Sequence, residues 1–145
     1  TPKQVEGVSS FSGNDGLTEM LKKTDYLVNL LPLTTETADL LNTETLSKLK
    51  RGAYLINVGR GQTLVEEDLI PLLDEGHLSG ACLDVFRTEP LAEEHPFRKH
   101  KKILITPHNS SSTPANSVAP QILENYKRAV SGRQLLNLVD LAHGY

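Results

Sequence analysis

The stretch AYLINVGRG, residues 53–61, decides the fold class. Residues 53–58 form a nearly continuous apolar run, which predicts a strand buried on both faces, and the glycine-rich end predicts a sharp turn. A helical pattern over 66–75 follows, with acidic residues in its first turn and Gly76 just past its end. A buried strand that leads through a tight turn into a helix is the repeating unit of proteins with parallel sheets.

The same alternation of short apolar runs and helical patterns extends along the rest of the chain. Strands that are apolar on both faces pair in parallel, and helices cover the sheet that they form. The sequence therefore predicts an α/β fold with a doubly wound parallel sheet. Further strands are predicted at 26–31, 81–85 and 103–106, a weak one at 8–11, and further helices at 15–23, 34–41, 43–49 and 114–131.

The composition is that of an ordinary globular protein. The chain has 145 residues, of which 23% are charged and 38% are hydrophobic, so it is long enough to bury a core. Its net charge of -3 argues against binding to nucleic acid or to an anionic membrane, because both need a basic surface. The single cysteine excludes an internal disulfide, and the histidine spacing gives no reason to expect a metal. The sequence shows neither a signal-peptide pattern nor a long apolar run, so we expect a cytoplasmic protein.

The residues directly after each strand carry the candidate chemistry, because ligands of such sheets bind beyond the carboxyl ends of the strands. Arg60 is the first of these, and an arginine can hold a carboxylate through two parallel hydrogen bonds. The segment GRGQTL, residues 59–64, is an alternative match to the dinucleotide-binding pattern G-x-G-x-x-G, with Asp84 as the ribose partner. This alternative is less favoured, because the third glycine is missing and Arg60 stands where a pyrophosphate would approach. A plain strand-to-helix turn explains the glycines but not the arginine.

Glu89 and His108 follow two further strands at the same predicted edge. Taken alone, a loop histidine is more often solvated or a helix cap, and a glutamate before a proline is more often a surface residue. If the two lie side by side, the carboxylate favours the protonated imidazole, which can then donate a proton. Together with Arg60, such a pair would suit the reduction of a carbonyl that lies next to a carboxylate.

Four segments of the chain together are similar to one known family. They are LLPLTTET at 30–37, GAYLINVGRG at 52–61, LDVFRTEPL at 83–91 and ITPH at 105–108. In this order and spacing they resemble the D-isomer-specific 2-hydroxyacid dehydrogenases, which have a Rossmann-type sheet. Within that family, the chain is most similar to bacterial reductases of glyoxylate and hydroxypyruvate. The resemblance covers essentially the whole chain, but only the later half of a family member.

The resemblance implies a role for each candidate residue. Arg60 matches the arginine that holds the substrate carboxylate and polarises the carbonyl, and His108 matches the acid that protonates the carbonyl oxygen. Glu89 matches the carboxylate that pairs with this histidine, and Asp84 matches the residue that positions the nicotinamide amide. The further residues that match cofactor contacts of the family are Leu31, Pro32, Thr37, Val58 and Gly59.

The resemblance also implies the reaction, the cofactor and the assembly. A small 2-oxo acid such as glyoxylate or hydroxypyruvate would be reduced to a 2-hydroxy acid by hydride from NADP or NAD in the reduced form. Thr1 and Lys3 match the segment that holds the extra phosphate of NADP, which favours NADP over NAD. Family members are usually homodimers. The alternative from another class is a non-enzymatic NAD(P)-sensing corepressor of the same family, which would keep the same site residues.

The same resemblance predicts how the chain is divided. Residues 1–113 match the later part of the nucleotide-binding domain, and residues 114–145 match the helix and tail that return to the substrate domain. The glycine-rich phosphate loop and the substrate domain of the family match no part of the chain, and their loss would remove the helix N-terminus that neutralises the pyrophosphate. We therefore expect these 145 residues alone to be inactive.

Overall fold

Four parallel strands form one sheet in the order β1-β2-β3-β4, which confirms the predicted fold class. The computed structural model describes residues 5–111 and 113–139. Helices or turns connect successive strands, as parallel pairing requires. The elements are α1 (Gly13–Leu21), β1 (Tyr26–Asn29), α2 (Thr43–Leu46), β2 (Ala53–Asn57), α3 (Glu66–Asp74), β3 (Leu78–Leu83), β4 (Ile103–Ile105) and α4 (Ala115–Val130), with 3₁₀ turns at Gly61–Thr63 and Pro96–Lys99.

The core lies around the two central strands, β2 and β3. Leu55 and Leu83 come from the two strands and are both completely buried. Helix α3 adds Leu69 and Leu73, also completely buried, and Gly76 ends this helix in the left-handed conformation at φ 68°. This packing aligns the carboxyl ends of β1 and β2, where Asn29 pairs in register with Asn57.

Strand β1 lies at one end of the strand order and differs from the prediction of a strand buried on both faces. Leu27 and Asn29 are buried, whereas Tyr26 and Val28 are 72% and 49% exposed. The described residues cover only one face of this strand. The apolar sequence of β1 therefore shows that both of its faces are hydrophobic, but it does not show whether other residues pack against both faces.

Two predicted elements are wrong. Residues 34–41 form turns instead of a helix, because the hydroxyls of Thr34 and Thr37 bind nearby backbone groups and compete with helical hydrogen bonds. The weak strand predicted at 8–11 is replaced by an isolated antiparallel bridge between Val5 and Val8.

The chain divides into two compact units, which part between His108 and Asn109. The first unit contains the sheet and helices α1 to α3, and the second contains α4. In the second unit, Asn125 binds both backbone polar groups of Leu136, at 3.1 and 2.8 Å. The assignment of 1–113 and 114–145 to two domains of a larger protein remains a prediction. Among the described residues, no helix is both long enough and apolar enough to span a membrane.

Candidate active site

Three of the predicted side chains meet at the carboxyl edge of the sheet. Arg60, Glu89 and His108 line one cavity of about 190 Å³, although they come from three separate segments of the chain. The turn after β2 carries Arg60, the loop after β3 carries Glu89, and His108 follows β4. The other residues that line this cavity are Gly61, Gln62, Val85, Phe86 and Arg87.

His108 and Glu89 form a direct pair. Nδ1 of His108 lies 2.8 Å from Oε2 of Glu89, and the side chain of His108 is 51% exposed. The other carboxylate oxygen of Glu89 accepts a hydrogen bond of 2.9 Å from the backbone amide of Phe86. The hydrogen bond with His108 and, after it, the bond from the Phe86 amide hold the pKa of Glu89 below the ordinary value of a glutamate. Since Nδ1 faces Glu89, Nε2 is the ring nitrogen that can face a ligand.

Arg60 enters the cavity from the turn after β2. Its guanidinium donates to the carbonyl oxygen of Gly59 at 2.7 Å, and it forms no ion pair with any carboxylate among residues 5–111 and 113–139. Gly61, just after it, packs directly on the loop that carries Glu89: a Cβ at Gly61 would lie 1.9 Å from the carbonyl carbon of Phe86. Only glycine allows this close approach, which brings Arg60 to the same cavity as Glu89.

Several hydrogen bonds hold the loop after β3 in place. The Arg87 amide donates to Glu66 at the start of α3, at 2.8 Å, and the Gln62 amide group donates to the Arg87 carbonyl at 3.2 Å. The Arg87 guanidinium binds the Asp39 carboxylate, which raises the pKa of Arg87. The segment around Glu89 is therefore tied to α3, to the turn after β2 and to the loop before α2.

A second and larger cavity, of about 550 Å³, is also lined by Glu89 and His108. Its lining is mostly apolar, and it also contains the side chain of Arg98. The guanidinium of Arg98 donates to the carbonyl oxygens of Leu91 and Ala92, at 2.7 and 2.8 Å. The other residues that line this larger cavity are Phe86, Pro90, Leu91, Ile105, Thr106 and Pro107.

The predicted cofactor contacts lie around the carboxyl ends of β1 and β2. Leu31 is 40% exposed, and Gly59 packs against it so closely that a Cβ at Gly59 would lie 2.8 Å from the Leu31 carbonyl oxygen. Val58 is half-buried, and Pro32 is exposed. The Thr37 hydroxyl donates to the Pro32 carbonyl at 2.6 Å, so it closes the loop that carries Leu31 and Pro32. Thr1 and Lys3 lie outside the described residues.

Asp84 is buried, with 1% of its surface exposed. Its carboxylate accepts a hydrogen bond from the hydroxyl of Thr106, and its amide donates to the carbonyl oxygen of Asn57 at 3.0 Å. Asp84 thus joins the ends of β2, β3 and β4. Its predicted contact with the nicotinamide amide remains a prediction.

Polar residues that the sequence interpretation passed over also belong to this region. Asn29, Asn57 and Thr63 are buried, and the side chain of Asn29 is hydrogen-bonded to both of the others close to Arg60. Arg98 lines the larger cavity. A carboxamide at the carboxyl end of an otherwise apolar strand is a usable sequence signal, because a buried amide needs partners nearby. Arg98, in a polar loop, carries no such signal.

The chain is similar to known proteins over its whole length. The model for the D-isomer specific 2-hydroxyacid dehydrogenase, NAD binding domain, matches residues 2–110. The chain is 41% identical over 145 residues to glyoxylate/hydroxypyruvate reductase A of Yersinia enterocolitica, a match that covers 100% of the chain and 46% of that protein. The chain therefore spans about half the length of the curated relatives that it matches.

Two solved structures of similar proteins contain a cofactor. The D-isomer specific 2-hydroxyacid dehydrogenase of Xanthobacter autotrophicus Py2, in complex with NADPH and MES, is 45% identical with a TM-score of 0.96, over 100% of this chain and 60% of that one. The NADPH-dependent glyoxylate/hydroxypyruvate reductase of Sinorhizobium meliloti, in complex with NADP and sulfate, is 37% identical with a TM-score of 0.94, over 100% of this chain and 47% of that one.

Proposed function

The chain belongs to the family of D-isomer-specific 2-hydroxyacid dehydrogenases, and on this basis we propose that the whole protein reduces a small 2-oxo acid to a 2-hydroxy acid. Glyoxylate and hydroxypyruvate are the proposed substrates, because similar proteins carry these names. The observation that carries the proposal is the cavity that Arg60 shares with the Glu89–His108 pair. Its volume of about 190 Å³ suits a small acid, since pockets for drug-sized ligands begin at roughly 300 Å³.

Arg60 is the proposed carboxylate-binding residue. A guanidinium presents two parallel N–H donors that match the two oxygens of a carboxylate. Arg60 is exposed, and it forms no ion pair with a carboxylate among the described residues. Its guanidinium is therefore available to bind an anionic ligand. An N–H of the Arg60 guanidinium can also polarise the carbonyl group of the 2-oxo acid, because negative charge develops on the carbonyl oxygen during reduction.

His108 is the proposed proton donor. As the carbonyl carbon of the 2-oxo acid accepts hydride, the carbonyl oxygen takes one proton from Nε2 of His108, and the C=O bond becomes a hydroxyl-bearing C–O bond. Glu89 holds Nδ1 at 2.8 Å, which fixes the orientation of the ring from which the proton leaves. Hydride is what the reduced nicotinamide supplies when it is bound.

The residues at the ends of β1 and β2 fit one part of such a cofactor. Leu31 and Leu33 are 40% and 42% exposed and provide an apolar surface at the carboxyl edge of the sheet, where parallel sheets bind ligands. Gly59 adds no side chain that would block this edge. We propose NADPH rather than NADH, because both solved relatives described above contain NADPH or NADP.

Steady-state kinetics of the whole protein test this function. With NADPH and glyoxylate or hydroxypyruvate, we expect consumption of NADPH, followed by its absorbance. Arg60→Lys keeps the charge but loses the fork of donors, so we expect kcat/KM for the oxo acid to fall by about 10²-fold. Arg51→Lys is the matched control, since Arg51 binds a backbone carbonyl, that of Glu75, at 2.8 Å and lies at the opposite end of β2.

Two results would count against the proposal. One is that no small 2-oxo acid is reduced with NADPH or NADH, which would favour the cofactor-sensing corepressor. The other is that Arg60→Lys and Arg51→Lys lower kcat/KM to the same degree, since the loss would then not come from a contact with the substrate.

A further inference from the structure

We propose that Asn29, Asn57 and Thr63 form a buried positioning network that holds Arg60 and the cofactor-facing ends of β1 and β2 in one geometry. Together these three residues form the amide network. This inference rests on the proposed function, because it assigns a task to residues beneath the proposed carboxylate-binding arginine. None of the three is a catalytic residue, since each acts through another group.

The amide network is completely buried and internally bonded. Asn29, Asn57 and Thr63 are 4%, 0% and 0% exposed. The side-chain amide of Asn29 donates to the side-chain oxygen of Asn57 at 2.9 Å and to the hydroxyl of Thr63 at 2.8 Å. Such groups are costly to bury, and they specify one arrangement only when every partner is in place.

The amide network also forms hydrogen bonds with backbone amides at the carboxyl ends of β1 and β2. The side-chain oxygen of Asn29 accepts the Leu31 amide at 3.2 Å, and that of Asn57 accepts the Gly59 amide, also at 3.2 Å. These bonds fix the two segments that carry the predicted cofactor contacts. The close approach of Gly59 to Leu31, which leaves no room for a Cβ, follows from the same arrangement.

Thr63 connects the network to Arg60. Its hydroxyl donates to the Arg60 carbonyl oxygen at 2.6 Å, and the side-chain amide of Asn57 reaches the same oxygen at 3.5 Å. Arg60 itself is exposed and bonded to its neighbour Gly59, so its backbone is the part held by buried groups. Fixed positioning matters for a side chain that binds a reacting substrate, because even a small displacement of that side chain lowers the reaction rate.

Thr63→Val removes the hydroxyl and keeps the shape of the side chain. The Arg60 carbonyl then loses its shortest hydrogen bond, whereas the bonds to the Leu31 and Gly59 amides keep their acceptors. In the whole protein we expect kcat/KM for the 2-oxo acid to fall by about 10- to 100-fold, mainly through a higher KM for the oxo acid.

Two control variants separate positioning from stability. Thr63→Ser restores a hydroxyl and should return the kinetics close to the wild type. Thr24→Val removes a comparable hydroxyl bond, from Thr24 to the Met20 carbonyl at 2.8 Å, at the opposite end of β1. It should leave the kinetics unchanged. If Thr63→Val does not fold, Thr63→Ala removes the same hydroxyl without the second branch and takes its place.

Amide hydrogen exchange measured by NMR gives a readout that does not depend on turnover. Loss of the Thr63 hydroxyl leaves one N–H of the Asn29 amide without its acceptor, so the pair of amides should loosen. We expect the Leu31 and Gly59 amides to exchange about tenfold faster in Thr63→Val, and at the wild-type rate in Thr63→Ser and Thr24→Val.

The outcomes are distinct. Faster exchange together with a raised KM for the oxo acid, rescued by serine, supports the network. The inference is overturned if exchange or kcat/KM stays at the wild-type value in Thr63→Val, or if Thr24→Val lowers kcat/KM equally. If the wild-type protein reduces no 2-oxo acid, the proposed function fails, and exchange at Leu31 and Gly59 alone then decides whether the network holds these segments.

Discussion

His108 holds its backbone in the left-handed region, at φ 51°, in an exposed position at the end of the sheet. Residues other than glycine seldom adopt this conformation, although histidine, asparagine and aspartate tolerate it better than most. The conformation, together with the bond from Nδ1 to Glu89, sets the direction of the imidazole. A replacement that keeps the backbone conformation is therefore the informative one.

His108→Asn tests the proton donor at this scale. Asparagine accepts the left-handed backbone but cannot donate a proton as an acid, so turnover of the whole protein should fall by roughly 10² or more. Steady-state kinetics with NADPH and glyoxylate measure this loss. His100→Asn is the matched control, because His100 also pairs with a carboxylate, Asp74 at 3.1 Å, but away from the cavities. A neutral result for His108→Asn would remove the assigned role.

The protonation of Glu89 gives a second prediction. The bonds from His108 and the Phe86 amide lower its pKa in the folded protein, so they stabilise the fold at pH values above the ordinary range of a glutamate. This contribution is lost as the pH falls through the folded pKa. In His108→Asn we expect the pKa of Glu89 to rise towards its ordinary value, because the largest cause of the shift is gone. Carbon-13 NMR of the Glu89 carboxyl measures it, and an unchanged pKa would contradict the pairing.

At the scale of elements, the loop after β3 decides where Glu89 lies. One end of this loop is bound to α3 through the Arg87 amide and Glu66, at 2.8 Å. Its other end is held by Arg98, which donates to the carbonyls of Leu91 and Ala92 from the 3₁₀ turn Pro96–Lys99. Phe86 and Leu91 are buried in the core on either side of Glu89, and these hydrogen bonds add directional restraints to the loop between them.

Arg98→Ala should loosen this loop. The carbonyl oxygens of Leu91 and Ala92 lose their donors, and the Glu89 carboxylate spends less time beside His108. We expect a kcat/KM about tenfold lower in the whole protein and a pKa of Glu89 nearer its ordinary value, since both depend on that pair. Arg51→Ala, which also removes an arginine bound to a backbone carbonyl, is the control. Equal effects of the two variants would assign the loss to general stability.

At the scale of the whole molecule, the cavity beside Arg60 is an open one. Arg60 is exposed and the side chain of His108 is 51% exposed, so the described residues do not enclose these two proposed site residues. Reduction by hydride transfer needs a site from which water is excluded. The chain spans 46% of the length of the Yersinia relative, so the match leaves more than half of that protein uncovered.

We accordingly expect the 145-residue chain, prepared by itself, to show no reduction of glyoxylate with NADPH. Titration with NADPH, followed by the cofactor's fluorescence, should show no tight binding. The whole protein under the same conditions is the control. Full turnover by the isolated chain would mean that residues 1–145 already enclose the site.

The local pattern of the sequence is sufficient to predict the parallel sheet and which residues lie at its carboxyl edge. Apolar runs closed by glycine or proline predicted parallel strands, and the polar residues after them were placed at one edge because parallel strands end on the same side. The prediction failed at 34–41, where the Thr34 and Thr37 hydroxyls outcompete a helix. Helix propensity is an average over the residues of a segment, whereas these hydrogen bonds to the backbone depend on two individual threonine side chains.

The amino-acid sequence specifies the order of the strands along the chain, the residue types at their ends, and hence the kind of chemistry available there. Which atoms come into contact depends on the folded chain. Glu89 and His108 are 19 residues apart, and Asn29 and Asn57 are 28 residues apart, yet each pair is in hydrogen-bond contact. A hydrogen bond is directional and reaches only about 3 Å, so contacts between distant segments depend on the packing of the whole sheet.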